Sequence, residues 1–83
     1  MKVTVKYFAS IRESLGLGVE QVETQAASLG ALRDELIARN PGYAASLARG
    51  KAVRMALDQT MSDEAAALRE GAEVAFFPPV TGG

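Results

Sequence analysis

The group in this sequence that is best suited to chemistry is its terminal carboxylate. The sequence ends in two consecutive glycines, Gly82 and Gly83, and Gly83 carries this carboxylate. Glycine has no Cβ, so such a terminus can enter a channel too narrow for any other residue. Pro78 and Pro79 precede it, and their fixed φ and missing amide hydrogens predict the end of a strand and a stiff, extended path. Residues 80–83 would then reach about 13 Å beyond the domain, at about 3.3 Å each. This spacing predicts a projection that presents one carboxylate to another protein.

The side chains offer little other chemistry. The chain has no cysteine and no histidine, which excludes a thiol nucleophile, a disulfide, and the usual general base and metal ligand. Its ten acidic residues are scattered along the sequence, as is typical of a solvated surface. We therefore predict that the chain is not a catalyst by itself and binds no cofactor or metal.

Composition limits the class of protein further. Eighty-three residues, 48% of them hydrophobic, are enough for one domain with a small core. A formal charge of -1 does not suggest a nucleic-acid partner. No apolar run approaches the roughly 20 residues that cross a bilayer. The first six residues alternate like a strand and lack the apolar block of a signal peptide, which predicts a cytoplasmic protein without a membrane association.

Hydrophobic periodicity predicts four strands and one main helix. The first strand is the clearest, since Val3, Val5 and Tyr7 alternate with polar residues. Ser28 is a suitable N-cap for the helix, which carries apolar residues at positions 29, 32, 36 and 37 and places Arg33 away from that stripe. The other strands are predicted at residues 19–25, 51–57 and 73–77.

Shorter pieces complete the prediction. Asn40-Pro41-Gly42 is expected to stop the main helix, with a short helical turn at residues 43–49. Residues 9–18 have a short helical character. Asp58-Gln59-Thr60 predicts a turn. The acids that follow Ser62 predict another short helical piece, which runs through Leu68 and ends near Gly71.

The order of these elements is ββαββ. The apolar stripe of a single helix needs a surface to cover, so the helix is expected to lie on one face of a four-stranded sheet. The predicted class is α+β, with a mixed sheet and the C-terminal tail leaving from a central strand. Residues 1–79 would form the domain and residues 80–83 a flexible diglycine tail.

Three segments resemble one protein family. Residues 70–83 nearly reproduce the family's ending, residues 8–13 match the segment after its first strand, and residues 54–59 match its third strand. The chain resembles the small, ubiquitin-like subunit of molybdopterin synthase, a sulfur carrier with a β-grasp fold. Asp58 and Ala72 depart from the family's usual residues, and both lie in predicted turns.

The resemblance implies an activity for Gly83. A ubiquitin-E1-like adenylyltransferase would use ATP to adenylate its carboxylate, and a sulfur-donor system such as a cysteine desulfurase would convert it to a thiocarboxylate. Gly82 and Gly83 would then enter the large, catalytic subunit of the synthase. There the sulfur would pass to cyclic pyranopterin monophosphate, and two such transfers would build the dithiolene of molybdopterin. The family forms a heterotetramer with two large subunits at its centre.

Apolar residues at polar positions indicate where a partner docks. Phe8 falls on the polar face of the first strand, Phe77 is offset from the inward positions of the last strand, and Met61 follows a turn. They either fill gaps in the core or form an exposed patch beside the tail, since such patches mark interfaces. The expected partner-binding residues are these three and the tail residues Pro78, Pro79, Val80 and Thr81.

Two other functions remain open from the sequence. A carrier of the same fold can supply sulfur for thiamine, cysteine or transfer-RNA thiolation, although thiamine carriers are usually shorter and lack the Phe-Phe-Pro-Pro approach. A ubiquitin-like modifier would instead join its tail to lysines of other proteins.

Overall fold

A computed structural model describes residues 1–79 of the protein. The predicted tail, residues 80–83, lies outside the described residues. The α+β class is confirmed. The elements, in chain order, are β1 (Lys2–Tyr7), α1 (Ala9–Leu15), β2 (Val19–Glu23), α2 (Leu29–Arg39), α3 (Pro41–Leu47), β3 (Arg54–Leu57), β4 (Thr60–Ser62) and β5 (Glu73–Phe77).

The strands form one mixed sheet in the order β2-β1-β5-β3-β4. β1 is antiparallel to β2 and parallel to β5, and β5 is antiparallel to β3. β5 therefore lies at the centre of the sheet, with a hydrogen-bonded strand on each side. This confirms the prediction that the last strand is a central strand of the sheet.

The sheet has five strands in the part of the chain that is described, one more than predicted. Asp58 and Gln59 both adopt positive φ angles, 49° and 68°. A two-residue turn of this kind matches the twist of an antiparallel pair, so the chain returns at once as β4. Leu57 pairs with Thr60, and Ala56 pairs with Met61. The predicted turn is present, but Thr60 belongs to the strand.

The main helix begins where the sequence predicts. The Ser28 hydroxyl accepts a hydrogen bond from the Ala31 amide at 3.2 Å, as an N-cap does. At the other end, Asn40 ends α2 and also caps α3, because its Oδ1 accepts from the Tyr43 amide at 3.2 Å while Pro41 occupies the first turn. The Asn40-Pro41-Gly42 sequence that was predicted to end α2 therefore also begins α3. The described residues contain three helices, and α1 and α3 confirm the short helical pieces predicted at residues 9–18 and 43–49.

The helix predicted at residues 62–68 is wrong. The carbonyls of Glu64 and Ala66 accept hydrogen bonds from the Gly30 and Leu29 amides, each at 3.0 Å. Amides in the first turn of a helix have no partner within the helix. Leu68 in turn donates to the Ala27 carbonyl at 3.0 Å. The segment stays irregular because its backbone groups bond to the start of α2.

One face of the sheet and the helices enclose the core. Tyr7 stacks on Phe76 with 6.2 Å between ring centroids. No helix among residues 1–79 is long and apolar enough to span a membrane. The fully buried side chains come from both layers and include Val3, Val5, Val22, Leu29, Leu32, Leu36, Leu47 and Val74.

Both tyrosines of the chain donate to the same carboxylate. The hydroxyls of Tyr7 and Tyr43 lie 2.7 and 2.6 Å from Glu20 Oε2. Burial raises the pKa of Tyr7 well above its usual range, and the hydrogen bond to Glu20 raises it further. Burial and the bond to Glu20 also raise the pKa of Tyr43.

This cluster predicts a loss of stability in alkali. The folded chain keeps tyrosine protons that the unfolded chain loses above about pH 10, so the free energy of unfolding falls as the pH rises beyond that value. Ultraviolet titration should show no tyrosinate step near pH 10 while circular dichroism still reports a folded chain. The variant Tyr7→Phe should show a shallower alkaline decline in stability than the wild type. A tyrosinate step for both residues near pH 10 in the folded state would contradict this account.

Candidate partner-binding site

The base of the tail is the end of β5. Phe76 is fully buried, whereas Phe77, Pro78 and Pro79 are half-buried. The carbonyl of Phe76 accepts a hydrogen bond from the Phe8 amide at 3.1 Å, which ties the end of β1 to the end of β5. The predicted site residues Val80, Thr81, Gly82 and Gly83 lie outside the described residues and stay predictions.

The strand register brings two of the predicted docking residues together. Tyr7 pairs with Phe76 in the parallel ladder, and Phe8 follows Tyr7 in an extended conformation with φ −129°. Side chains alternate between the faces of a sheet, so Phe8 and Phe77 project from the face opposite to the core. Arg54 pairs with Phe77 from the other side. Phe8 is 44% exposed, which confirms its unusual position on the polar face of its strand.

A second row crosses the same face of the sheet. It runs through paired positions on all five strands, namely Val19, Lys6, Ala75, Ala56 and Met61. Val19 is 56% exposed and Met61 is 58% exposed. Lys6 is the one charged member of the row, and its ammonium lies 3.5 Å from Glu73 Oε1.

We call this surface the open face and define it by its apolar members, Phe8, Val19, Ala56, Met61, Ala75 and Phe77. Phe8, Val19 and Met61 are three of the four exposed large hydrophobic side chains of the described residues. An apolar surface with a charged residue, Arg54, at its margin is typical of a protein interface. The sequence analysis missed Val19, although its odd spacing from the buried Val22 places the two on opposite faces.

A buried arginine holds the segments behind the open face together. Arg33 is only 4% exposed, although it lies away from the centre of the apolar stripe of its helix. Its Nε donates to the Leu47 carbonyl at 2.8 Å, and its Nη2 donates to the carbonyls of Ala48 at 2.8 Å and Lys51 at 3.2 Å. Its Nη1 donates to Glu64 Oε2 at 3.0 Å. The guanidinium thus binds the end of α3, the loop before β3 and the segment after β4.

Arg49 extends this network at the surface. It donates to Asp34 Oδ1 at 2.9 Å and also to Glu64, so Glu64 is shared between two arginines. The hydrogen bond from Arg49 is the largest cause that holds the pKa of Glu64 below its usual range. The segment that follows Met61 is therefore fixed to α2 by charge-assisted hydrogen bonds.

A central strand that leads to a diglycine sequence, beside an apolar sheet face and with helices on the other face, defines a ubiquitin-like β-grasp domain. The chain belongs to the ThiS family, whose match spans residues 5–83.

Known relatives agree with the resemblance seen in the sequence. The molybdopterin synthase sulfur carrier subunit of Haemophilus influenzae is 38% identical over 81 residues, which cover 98% of this chain and 99% of that protein. A chain from the complex of subunits 1 and 2 of molybdopterin-converting factor of Helicobacter pylori matches with a TM-score of 0.69 and 27% identity, with full coverage of both chains. SAMP1 from Haloferax volcanii shares the fold, with a TM-score of 0.80 at 24% identity and full coverage of both chains.

Proposed function

We propose that this chain is the sulfur-carrier subunit of a molybdopterin synthase, with Gly83 as the residue that carries the sulfur. The observation that carries the proposal is the diglycine sequence that follows the central strand β5, next to an apolar open face. Similarity to the sulfur carrier subunit of Haemophilus influenzae over 98% of this chain supports it.

The chemistry requires activation of the Gly83 carboxylate. A carboxylate is a poor electrophile because oxygen leaves it reluctantly. An adenylyltransferase joins the carboxylate to the α-phosphate of ATP and releases pyrophosphate. The terminal sulfur of a persulfide on the desulfurase attacks the acyl adenylate and displaces AMP, which gives an acyl disulfide. A thiol reductant then attacks the desulfurase sulfur of this linkage, forms a disulfide with it, and releases the thiocarboxylate. The absence of cysteine from this chain fits such a mechanism, because the sulfur is held on the terminal acyl group.

The large subunit of the synthase is the partner proposed for the open face. The complex that contains the Helicobacter pylori neighbour supports an assembly of this kind. A partner that covers Phe8, Phe77 and Met61 would at the same time receive the segment after Pro79. The activating enzyme and the desulfurase are the other partners that the chemistry requires. We propose a heterotetramer in which each large subunit at the centre holds one copy of this chain.

A conversion assay tests the proposal against the other sulfur-carrier functions. The thiocarboxylated chain is mixed with the large subunit and cyclic pyranopterin monophosphate, and the dithiolene product is measured. We expect product with the thiocarboxylate and none with the unmodified carboxylate form. No product with the thiocarboxylate, together with sulfur transfer in a thiamine, cysteine or transfer-RNA thiolation system, would assign the chain to another pathway.

Replacement of Phe77 with alanine should weaken the complex with the large subunit by about tenfold or more, because aromatic anchors at the centre of an interface contribute most of its binding energy. Calorimetry of the two purified subunits measures the change. The control is Ile37→Ala, because Ile37 is also half-buried but lies on α2, on the other side of the sheet. We expect both variants to lower the melting temperature by a similar amount, and only Phe77→Ala to change the affinity. Equal affinities for the two variants would remove Phe77 from the interface.

A further inference from the structure

A cleft with both polar and apolar lining residues lies beside Pro78, at the base of the predicted tail. It has a volume of about 240 Å³ and opens between α1, α3 and the chain that leads into β3, with Pro78 as part of its wall. Its remaining lining residues are Ser10, Ile11, Ser14, Ser46, Lys51, Ala52 and Val53. The open face does not include any of these residues, so the cleft is a separate feature of the surface.

The lining of the cleft can donate hydrogen bonds and carries positive charge. Lys51 is its one charged residue, and none of the carboxylates of residues 1–79 forms an ion pair with it. Ser46 is buried and donates to the Ser14 hydroxyl at 2.9 Å. Since a hydroxyl has one hydrogen to donate, this bond leaves the hydrogen of Ser14 available. Ser10 lies one helical turn before Ser14 and adds a second hydroxyl on the same side of α1.

Such a lining fits a small anion with oxygen acceptors. A carboxylate has one negative charge and two oxygens, which together accept about four hydrogen bonds. The ammonium of Lys51 and two serine hydroxyls would match this pattern, and Ile11 and Val53 would contact the methylene groups that carry the carboxylate.

We propose that this cleft receives an aspartate or glutamate side chain of the large subunit, the partner that takes up the tail. The inference rests on the proposed function. Its location argues for this partner, because Pro78 forms both the wall of the cleft and the base of the tail. A protein that binds the chain directly after Pro79 would lie close to Pro78 and to this cleft. The cleft thereby adds a polar anchor beside the apolar contact of the open face.

Charge reversal at Lys51 tests the inference. Calorimetry of the complex with the large subunit should show that Lys51→Glu binds about tenfold more weakly than the wild type, because a carboxylate in the cleft would then face a like charge. The control Lys2→Glu makes the same change in net charge at the opposite end of β1 and should change the affinity less than about twofold. Ser10→Ala, which loses no hydrogen bond within residues 1–79, should weaken binding by a smaller factor of about three.

A second measurement uses the isolated chain and sodium acetate as the probe. Amide NMR should show saturable shifts at Ser14, Ser46 and Lys51 in the wild type and in Lys2→Glu, and their loss in Lys51→Glu. If the wild-type chain does not bind the large subunit, the proposed function fails, and the acetate titration alone decides whether the cleft binds carboxylates. If the wild type binds and Lys51→Glu matches Lys2→Glu in affinity, the inference is overturned while the proposed function stands. Acetate shifts that are linear and identical in all three proteins also overturn it.

Discussion

Replacement of Gly83 with tryptophan is expected to abolish sulfur transfer and to leave the melting temperature unchanged. Under the proposed function, the carboxylate must reach the catalytic centres of two different enzymes. A large side chain next to it would block a narrow channel and restrict the backbone angles that glycine allows. The fold should not respond, because the core is built from residues between Val3 and Phe76. Product formation with the large subunit and thermal unfolding of the isolated chain measure the two effects.

The chain offers a matched control for this variant. A Cβ added at Gly50 would meet no atom within 4 Å, so Gly50→Trp introduces the same side chain at an open surface position. We expect this control to transfer sulfur at the wild-type rate. Deletion of Gly82-Gly83 should likewise keep the melting temperature and remove activity. Wild-type transfer by Gly83→Trp would contradict the role assigned to the terminus.

Replacement of Arg33 with alanine is expected to lower the free energy of unfolding of this domain strongly. The side chain is buried and donates to three carbonyls and to Glu64. Its removal takes the donor from the buried Leu47 carbonyl, at a cost of about 1–3 kcal/mol for an unsatisfied group, and removes one of the two arginine partners of Glu64. We expect a loss of about 3 kcal/mol in the free energy of unfolding, and a fall of about 15 °C in the melting temperature for a domain of this size.

Arg39→Ala is the control for Arg33→Ala, because Arg39 is exposed and makes one hydrogen bond, to the Glu23 carbonyl at 3.2 Å. Its loss should change the free energy of unfolding by at most about 0.5 kcal/mol. Denaturant unfolding of both variants gives the comparison. If Arg33→Ala were as stable as Arg39→Ala, the network around Arg33 would have no part in holding the loops together.

The sequence predicted those elements that depend on interactions between residues close together in the chain. The alternation of Val3, Val5 and Tyr7 is a property of one strand, and the Ser28 cap acts within one helical turn. These features appear in the structure at the predicted positions. The position of β5 at the centre of the sheet also followed, because the order of elements leaves few arrangements for a sheet that covers one helix.

The elements that were missed depend on contacts between distant segments. Residues 62–68 are not helical because the start of α2 takes up their carbonyls, and no signal within the segment shows this. Arg33 is buried for a similar reason, since its partners lie in a loop before β3 and in the segment after β4. β4 needed two positive φ angles at Asp58 and Gln59, neither of which is glycine.

Only part of the candidate site could be predicted, because some of its residues come together only through contacts between distant segments. Phe8 could be proposed because a large apolar residue on a polar face is a local anomaly, and Met61 because it is an apolar residue directly after a turn. Val19 joins them only through its pairing with Lys6 across the strands. The cleft at Lys51 could not be found from the sequence, because its serines come from two helices that meet only in the folded chain.

The mass of the C-terminal peptide is the most direct test of the proposed function. The chain is incubated with the activating enzyme, ATP and a sulfur source, and the peptide that ends in Gly83 is then analysed by mass spectrometry. A sulfur carrier should show the mass gain that corresponds to one oxygen replaced by sulfur, and the gain should depend on ATP. An unchanged peptide, or an isopeptide bond between Gly83 and a lysine of another protein in place of that gain, would contradict sulfur carriage.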